Sequence, residues 1–289
     1  MNAPAHFGIA DMQRSYQDGQ PLVMVTAYDA PSARHAEAGD ADLVLVGDSA
    51  AMVVLGYDTT NSIGMDEMVL FTRAVTRSCS RPLVIGDMPF MSYQPSDELA
   101  IRNAGRLIGE GRADAVKLEG GGRMIDRVRA ISDSGIAVFG HLGLTPQSAA
   151  SLGGFRAQAR THERALALVH DARLLEEAGA VGIVLEAIPA PVARAVTQQL
   201  SIPTIGIGAG SDTSGQVLVY HDLIGLTQTQ LPRFVRQYGT ASDQAVASVQ
   251  QYASEVRGGS FPAPEHTYGM ADSELERFTA GLSARSQEL

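Results

Sequence analysis

The chain has 289 residues, of which 45% are hydrophobic and 19% charged, a composition typical of globular proteins and unlike that of disordered chains. Its 22 Lys and Arg residues against 32 Asp and Glu residues give a formal charge of −10, which would repel the phosphates of nucleic acids and anionic lipids. No apolar run approaches the roughly 20 residues needed to cross a bilayer, and residues 1–15 lack a signal-peptide pattern. We therefore expect a cytoplasmic protein that binds small molecules, with no nucleic-acid or membrane partner.

Eight short apolar runs rich in β-branched residues recur along the chain, and helix-like stretches separate them. This pattern is typical of parallel strands that are covered on both faces. The predicted strands span residues 21–29, 43–49, 83–90, 115–120, 136–143, 181–188, 202–210 and 216–223.

Four of the intervening segments have a clear helical pattern, namely residues 66–77, 96–110, 161–178 and 191–200. In the third, Leu166, Val169, Leu174 and Leu175 form one predicted apolar stripe. Thr161 is the expected N-cap of this helix, and Gly179 its expected end.

Eight β-then-α units predict an α/β fold, a (β/α)₈ TIM barrel. We expect one domain over residues 1–289, with the barrel over about 21–230 and C-terminal helices and a tail over about 231–289. The alternative, an open doubly wound sheet, would normally have a glycine-rich turn after its first strand. Residues 28–32 contain no glycine, which favours the barrel.

Acidic and basic side chains are concentrated where the predicted strands end. Barrel enzymes place their chemistry at this rim, because the βα loops converge there. The rim residues are Asp29, Asp48, Ser49, Asp87, Lys117, Glu119, His141, Glu186, His221 and Asp222. Asp48, Asp87 and Glu119 follow three successive strands, and their oxygen ligands suit Mg²⁺. The alternative is that each acid caps a helix or pairs with an arginine.

Lys117 lies two residues before Glu119 on one strand, so the two side chains point to the same face. If Glu119 faces the barrel interior, Lys117 can hold a substrate carboxylate or a developing enolate there. Neutralisation of excess acid and Schiff-base chemistry remain alternatives for this lysine.

Glu186 follows three apolar residues, so partial desolvation should raise its pKa and favour a role as general base. An ion pair with a nearby arginine is the alternative. His141, between Gly140 and Leu142, either orients a substrate or ligand or is satisfied by backbone groups.

Seven sequence motifs are distributed along the chain: V-G-D-S at 46–49, L-G-Y-D-T-T at 55–60, G-D-M-P-F-M-S-Y at 86–93, V-K-L-E-G-G at 116–121, G-H-L-G-L-T-P-Q-S at 140–148, I-G-I-G-A-G at 205–210 and G-Q-V-L-V-Y-H-D at 215–222. Together they resemble the ketopantoate hydroxymethyltransferase (3-methyl-2-oxobutanoate hydroxymethyltransferase) family over nearly the whole chain, from about Thr26 to His266.

This resemblance implies a Mg²⁺-dependent, class II aldol-type transferase on a phosphoenolpyruvate/pyruvate-type barrel. The family transfers a hydroxymethyl group from 5,10-methylenetetrahydrofolate to 3-methyl-2-oxobutanoate, forming 2-dehydropantoate for pantothenate and coenzyme A synthesis, and commonly assembles as a homodecamer. By motif, the resemblance assigns the metal to Asp48, Asp87 and Glu119, and the ketoacid to Asp48, Ser49, Asp87 and Lys117. It assigns the role of catalytic base to Glu186.

Several positions, in three segments, depart from the family pattern. The family's V-Q-G-R is A-Q-A-R at residues 157–160, its G-D-S-L-G is G-D-S-A-A at 47–51, and the cysteine after the base is Ala187. These changes, at Ala50, Ala51, Ala159 and Ala187, are expected to affect loop detail and rate but not the reaction.

Two rival functions are considered. Lyases of the phosphoenolpyruvate mutase and isocitrate lyase type also use Mg²⁺ and 2-oxo acids, but they carry a loop cysteine in K-K-C-G-H, whereas Cys79 lies in R-S-C-S-R before the third predicted strand. The second rival is a non-catalytic barrel that only binds a ligand or metal. Such a protein would be expected to have lost some of the charged rim residues, but all five are present, namely Asp48, Asp87, Lys117, Glu119 and Glu186.

Overall fold

The structure, a computed structural model, describes residues 5–285 and contains a closed barrel of eight parallel strands. Each strand pairs with the next in chain order, and β8 pairs with β1. The strands are β1 (Leu22–Thr26), β2 (Leu43–Val46), β3 (Leu83–Asp87), β4 (Ala115–Glu119), β5 (Val138–Gly143), β6 (Ala180–Glu186), β7 (Thr204–Ile207) and β8 (Gly215–Leu218). Each overlaps one predicted run, so the predicted (β/α)₈ barrel is confirmed.

The chain divides into two compact units, the first ending at Gly239 and the second beginning at Thr240. The helices of the first are α1 (Ile9–Gln17), α2 (Ala30–Ala38), α3 (Ala50–Val53), α4 (Met65–Thr76), α5 (Asp97–Gly109), α6 (Met124–Asp133), α7 (His162–Glu177), α8 (Ala190–Gln199) and α9 (Tyr220–Leu223). The second contains α10 (Ala241–Gly258) and α11 (Asp272–Arg285). That these helices complete a single domain stays a prediction. Among residues 5–285, no helix is both long enough and apolar enough to cross a membrane.

The four predicted helices correspond to α4, α5, α7 and α8, each within one residue at both ends. Thr161 caps α7 by accepting a first-turn backbone hydrogen bond, and Gly179, with φ +95°, follows the helix end. The predicted apolar stripe is wrong in one respect: Leu166 is 57% exposed, whereas Leu168 and Leu175 are buried. Positions 168, 172 and 175 are the ones that lie on the barrel-facing side of the helix.

The eighth predicted strand run is too long. The strand ends at Leu218, and Tyr220 begins the short helix α9, so His221 and Asp222 lie on a helix and not on a strand. The apolar run misled the prediction because Tyr220 is itself buried, with its backbone N–H donating to Thr26 Oγ1.

The barrel interior has two different ends. Residues nearer the strand starts form an apolar group, which we call the lower core: Met12, Leu22, Met24, Leu43, Leu45, Leu83, Ile85, Ala115, Phe139, Val184, Ile205 and Val217. Because strand side chains alternate in direction, the inward positions two to four residues further along are Asp87, Lys117, Glu119, His141 and Glu186. The period of two therefore brings polar side chains to the mouth of the barrel.

Candidate active site

Five charged or titratable side chains meet at the inward-facing ends of β3, β4, β5 and β6. Strand register pairs Asp87 with Lys117 and Glu119 with His141, and Glu186 closes β6 opposite Gly143. The first four are buried, whereas the Glu186 side chain is 15% exposed. The strand ends thus bring these predicted site residues together, with Glu186 nearest to solvent.

Lys117 lies at the centre of this group. Its Nζ is 2.7 Å from Oδ1 of Asp87 and 3.7 Å from Oε1 of Glu119. It is also 3.4 Å from Nδ1 of His141. Burial alone would lower the pKa of Lys117, but the charges of Asp87 and Glu119 outweigh burial and raise it. The lysine is therefore an ammonium ion at neutral pH, which favours a cationic role over Schiff-base chemistry, because that chemistry needs the free amine.

His141 connects two carboxylates. Its Nδ1 lies 3.2 Å from Oε1 of Glu119, and its Nε2 lies 3.2 Å from Oε2 of Glu186. Burial and the charge of Lys117 act to lower the pKa of His141, but the bonds to the two glutamates outweigh them and raise it to about 9. The ring of His141 is therefore held by side chains and not by backbone groups, and its role in orienting a substrate or ligand stays a prediction.

Asp48 and Ser49 follow β2 at the same rim. The backbone N–H of Asp48 donates to Oδ2 of Asp87 at 3.2 Å, and Ser49 Oγ lies 2.9 Å from the hydroxyl of Tyr28. Burial, followed by the neighbouring charges of Asp87 and Glu119, raises the pKa of Asp48 well above its usual value. The Asp48 carboxylate is thus the least compensated negative charge of the group.

The charge balance of the site fits a divalent cation. The carboxylates of Asp48, Asp87, Glu119 and Glu186, when ionised, face two cations, Lys117 and His141, and leave two negative charges uncompensated. Oxygen donors of this kind suit Mg²⁺. Among the described residues, however, no three His, Cys, Asp or Glu side chains already form a metal-ligand group. Glu119 in particular already has a protein partner for each oxygen, with His141 at Oε1 and the backbone N–H of Gln147 at Oε2.

Two residues that sequence reasoning did not single out belong to the site. Gln147 lies in a 3₁₀ turn after β5, and its Nε2 donates to Oδ2 of Asp48. Tyr93 follows β3, and its hydroxyl donates to Oε1 of Gln147. Both lie inside motifs shared with the family, but both are loop residues, so the strand-end rule does not find them. The only available signal was a polar residue within a family motif.

Three other predicted rim residues do not join this group. Asp29 caps α2 by accepting from the backbone N–H of Ser32 at 2.8 Å. Asp222 accepts from the hydroxyl of Thr227 at 2.6 Å, and the ring of His221 lies against Tyr28, with centroids 5.4 Å apart. These residues line the β8 and β1 side of the mouth.

Two of the positions that depart from the family pattern, Ala159 and Ala187, lie in segments that a backbone hydrogen bond joins. Ala159 and Ala187 both have left-handed backbone conformations, with φ +52° and +47°, and the N–H of Gln158 donates to the carbonyl of Ala187. Ala159 therefore keeps a conformation that favours glycine, the family's residue at this position. Ala50 and Ala51 are buried in α3, where a Cβ is accommodated.

Comparisons with known proteins agree on one family. The model of the family described as ketopantoate hydroxymethyltransferase matches residues 6–264. The chain is 50% identical over 270 residues to the 3-methyl-2-oxobutanoate hydroxymethyltransferase of Oleidesulfovibrio alaskensis, covering 93% of each chain. It is 52% identical to the protein of the same name from Moorella thermoacetica, covering 90% of this chain and 97% of the relative.

Solved structures that resemble the chain share its fold at low identity. Phosphoenolpyruvate phosphomutase from Streptomyces platensis has a TM-score of 0.60 at 14% identity, covering 98% of this chain and 99% of its own. Phosphonopyruvate hydrolase in complex with oxalate and Mg²⁺ has a TM-score of 0.58 at 14% identity, covering 97% and 98%. At such identities the similarity shows the barrel architecture alone.

Proposed function

Because the chain belongs to the ketopantoate hydroxymethyltransferase family, we propose that its barrel mouth transfers a hydroxymethyl group from 5,10-methylenetetrahydrofolate to 3-methyl-2-oxobutanoate. The product is 2-dehydropantoate, an intermediate of pantothenate and coenzyme A synthesis. One observation carries the assignment of roles, namely the buried chain of contacts that runs from Asp87 through Lys117 and Glu119 to His141 and Glu186.

Glu186 is the catalytic base of this proposal. It is the most exposed acid of the group, so a substrate can reach it, and the Nε2 contact of His141 holds its carboxylate in place. A fixed carboxylate can take the C3 proton of the ketoacid, leaving an enolate. Water first releases the methylene carbon from the two folate nitrogens as formaldehyde, which leaves tetrahydrofolate. C3 of the enolate then adds to the formaldehyde carbon, and the formaldehyde oxygen takes up the proton held by Glu186 to become the new hydroxyl.

The β2–β4 side of the mouth binds the ketoacid. Lys117, held protonated by its neighbours, puts positive charge where the enolate develops. Ser49 and Asp48 follow β2, and Asp87 ends β3, so polar groups of two adjacent strands surround the same space. A buried ammonium ion acts strongly there because little water screens it.

Asp48, Asp87 and Glu119 are proposed to hold Mg²⁺. The two uncompensated negative charges of the site and its oxygen donors support this choice. When bound, the cation would act as a Lewis acid toward the keto group of the substrate. The protein itself would bind and orient the substrate and move the C3 proton.

The lyase alternative finds no support in the position of the single cysteine. Cys79 follows α4, and its thiol contacts the carbonyl of Val75 in the outer layer of the barrel. We also propose a cytoplasmic enzyme that works as a homo-oligomer, a homodecamer by family resemblance. Sedimentation analysis of the full chain tests the oligomer.

The C3 proton is the most direct probe of the reaction. With 3-methyl-2-oxobutanoate and Mg²⁺ in deuterated water, and without folate, the wild type should exchange this proton, which NMR detects. Glu186→Gln should slow the exchange by about 10²- to 10⁴-fold, the usual contribution of a general base. Glu177→Gln, at an exposed glutamate of α7, is the matched control and should exchange at the wild-type rate.

Two results would count against the proposal. Exchange by Glu186→Gln at the wild-type rate would remove Glu186 from the role of base. A wild type that forms no 2-dehydropantoate from the ketoacid, methylenetetrahydrofolate and Mg²⁺, or that is fully active in EDTA, would overturn the reaction or its metal.

A further inference from the structure

We propose that Gln147 is a positioning residue that orients the carboxylates of Asp48 and Glu119, two of the proposed ligands of the divalent cation. The inference rests on the proposed function in one respect, the presence of that cation at Asp48, Asp87 and Glu119. It assigns a role to a loop residue outside the strands that carry the acids.

Gln147 links two acids that the sheet itself does not join. Its side-chain Nε2 donates to Oδ2 of Asp48 at 2.8 Å, and its backbone N–H donates to Oε2 of Glu119 at 3.0 Å. Asp48 follows β2 and Glu119 ends β4, and β3 lies between these strands. The same Nε2 also donates to the carbonyl of Met88, just beyond β3, at 2.9 Å. One residue thus ties together the ends of three strands.

The orientation of the Gln147 amide is fixed by its own partners. Its Oε1 accepts from the hydroxyl of Tyr93 at 2.7 Å and from Nε2 of Gln94 at 3.2 Å. A reversed amide would place an oxygen against the Asp48 carboxylate and lose both bonds, so this network allows one orientation. The side chain is 3% exposed, so water does not compete for these bonds.

The backbone of Gln147 is held as well. Its carbonyl accepts from Nδ2 of Asn61 at 3.0 Å, and Pro146 begins the 3₁₀ turn that contains it. The hydroxyl of Tyr93 also accepts from the backbone N–H of Glu119 at 3.1 Å. Tyr93 and Gln147 therefore position Glu119 from both its backbone and its carboxylate.

Partners that orient metal ligands typically affect metal affinity by 10- to 100-fold. Gln147→Met keeps the length and burial of the side chain and removes both of its N–H donors. We expect the metal-free variant to bind Mn²⁺, a paramagnetic substitute for Mg²⁺, with a Kd 10- to 100-fold above the wild-type value, measured by electron paramagnetic resonance of the free ion. Isothermal titration with Mg²⁺ should give the same ranking.

Asn103→Leu is the matched control for a merely structural effect. Asn103 is a buried amide of α5 that donates to the carbonyl of Ser92 at 2.7 Å, and no hydrogen bond of the described residues joins it to the acids. The variant should lose stability in thermal unfolding and keep the wild-type Kd for Mn²⁺. Gln147→Asn, which retains the amide but is one methylene shorter, replaces Gln147→Met if circular dichroism shows that the latter does not fold. It too should weaken Mn²⁺ binding.

The outcomes separate the two proposals. A folded Gln147 variant whose Kd for Mn²⁺ stays within twofold of wild type overturns the positioning role and leaves the proposed function intact. Equal weakening in Asn103→Leu also overturns that role, because general loosening then explains both changes. A wild type that binds neither Mn²⁺ nor Mg²⁺ overturns the metal assignment, and the positioning role with it.

Discussion

The two ends of the barrel interior are built from the same strands and have opposite properties. On β4, Ala115 belongs to the lower core, whereas Lys117 and Glu119 belong to the mouth; on β5, Phe139 and His141 are divided in the same way. Burial of the lower core stabilises the fold by roughly 25 cal/mol for each Å² of apolar surface removed from water. Burial of charges at the mouth opposes folding unless partners compensate them.

The difference shows that residues of the stabilising core and residues of the candidate site alternate along the same inward-facing side of each strand. A strand of five residues places a core residue and a site residue on the same face, about two residues apart. Substitutions at the lower core should therefore change stability with little effect on chemistry, and substitutions at the mouth should do the reverse. Asp48→Asn and Phe139→Ala test this division directly, His141→Asn tests how much a compensated charge at the mouth adds to stability, and Ala159→Gly tests a loop outside both regions. We describe them from the largest expected effect to the smallest.

Asp48→Asn should produce the largest loss of activity. Loss of a carboxylate that is proposed to bind the metal should lower kcat/KM by about 10³-fold, equivalent to about 4 kcal/mol. The metal-free variant should be at least as stable as wild type, because the raised pKa of Asp48 means that its ionised form opposes folding. The free energy of unfolding of the metal-free wild type should accordingly fall as pH rises above the usual aspartate pKa of about 3.9. Asp48→Asn should lack this pH-dependent decrease.

Urea denaturation between pH 4 and pH 8 with EDTA measures this pH-dependent decrease in stability, and steady-state kinetics with Mg²⁺ measures the activity. If Asp48→Asn is less stable than wild type without metal and is also fully active, Asp48 serves stability and not activity, which contradicts the division between mouth and lower core.

Phe139→Ala should produce the largest loss of stability. Phe139 is fully buried, and its ring packs so closely on Gly182 that a Cβ there would lie 2.6 Å from Cε1. The cavity should lower the free energy of unfolding by about 3–5 kcal/mol, measured by chemical denaturation. The kcat per folded molecule should stay within about threefold of wild type. Phe155→Ala, at an exposed ring, serves as control, and a 10²-fold loss of kcat in folded Phe139→Ala would argue that the two ends are coupled.

His141→Asn should destabilise the protein in a pH-dependent way. The pKa of His141 is raised to about 9, so its stabilising effect is complete below pH 6.5 and is lost as pH rises through about 9. The wild type should exceed the variant in stability by an amount on the order of 2 kcal/mol at pH 6, and by much less at pH 10. Denaturation curves at the two pH values provide the comparison; a pH-independent difference would mean that His141 contributes by packing and not by charge.

Ala159→Gly should have the smallest effect and the opposite sign. A left-handed φ of +52° costs an alanine roughly 1–2 kcal/mol, whereas glycine adopts it freely but loses more backbone entropy on folding. The net expectation is a gain in stability of about 0.5 kcal/mol, measured as a rise in Tm. Ala157→Gly, two residues earlier at an exposed position without positive φ, should be neutral or destabilising; an equal rise in both variants would exclude backbone strain as the cause.

The alternation of strand residues explains why much of the site could be predicted. Lys117 and Glu119, two residues apart on an apolar strand, had to share a face, and the barrel placed that face inside. Periodicity could not determine which partners they contact, since this depends on rotamers and on strand register. The contact between His141 and Glu186 is one that periodicity could not predict.

Strand alternation could not predict which loop residues contact the acids of the site. Gln147 and Tyr93 lie in irregular segments whose paths depend on packing across the whole mouth, so no local pattern brings them to the acids. Local patterns also predicted that Leu166 is buried, although its apolar side chain is exposed to solvent. They extended the eighth strand into α9, because the buried Tyr220 continues an apolar run.

The apolar lower core, with Met12 of α1 packed into it, closes the end of the barrel nearer the strand starts, so that within residues 5–285 the polar mouth is the entrance. Under the proposed function both substrates use that entrance, and the ketoacid, which that proposal places beside Lys117, would have to arrive before the bulkier folate covers it. The order of departure is then reversed, because tetrahydrofolate must leave before the product can diffuse out. We therefore expect a compulsory sequence of binding and release, in which high folate concentrations trap the empty enzyme and slow turnover.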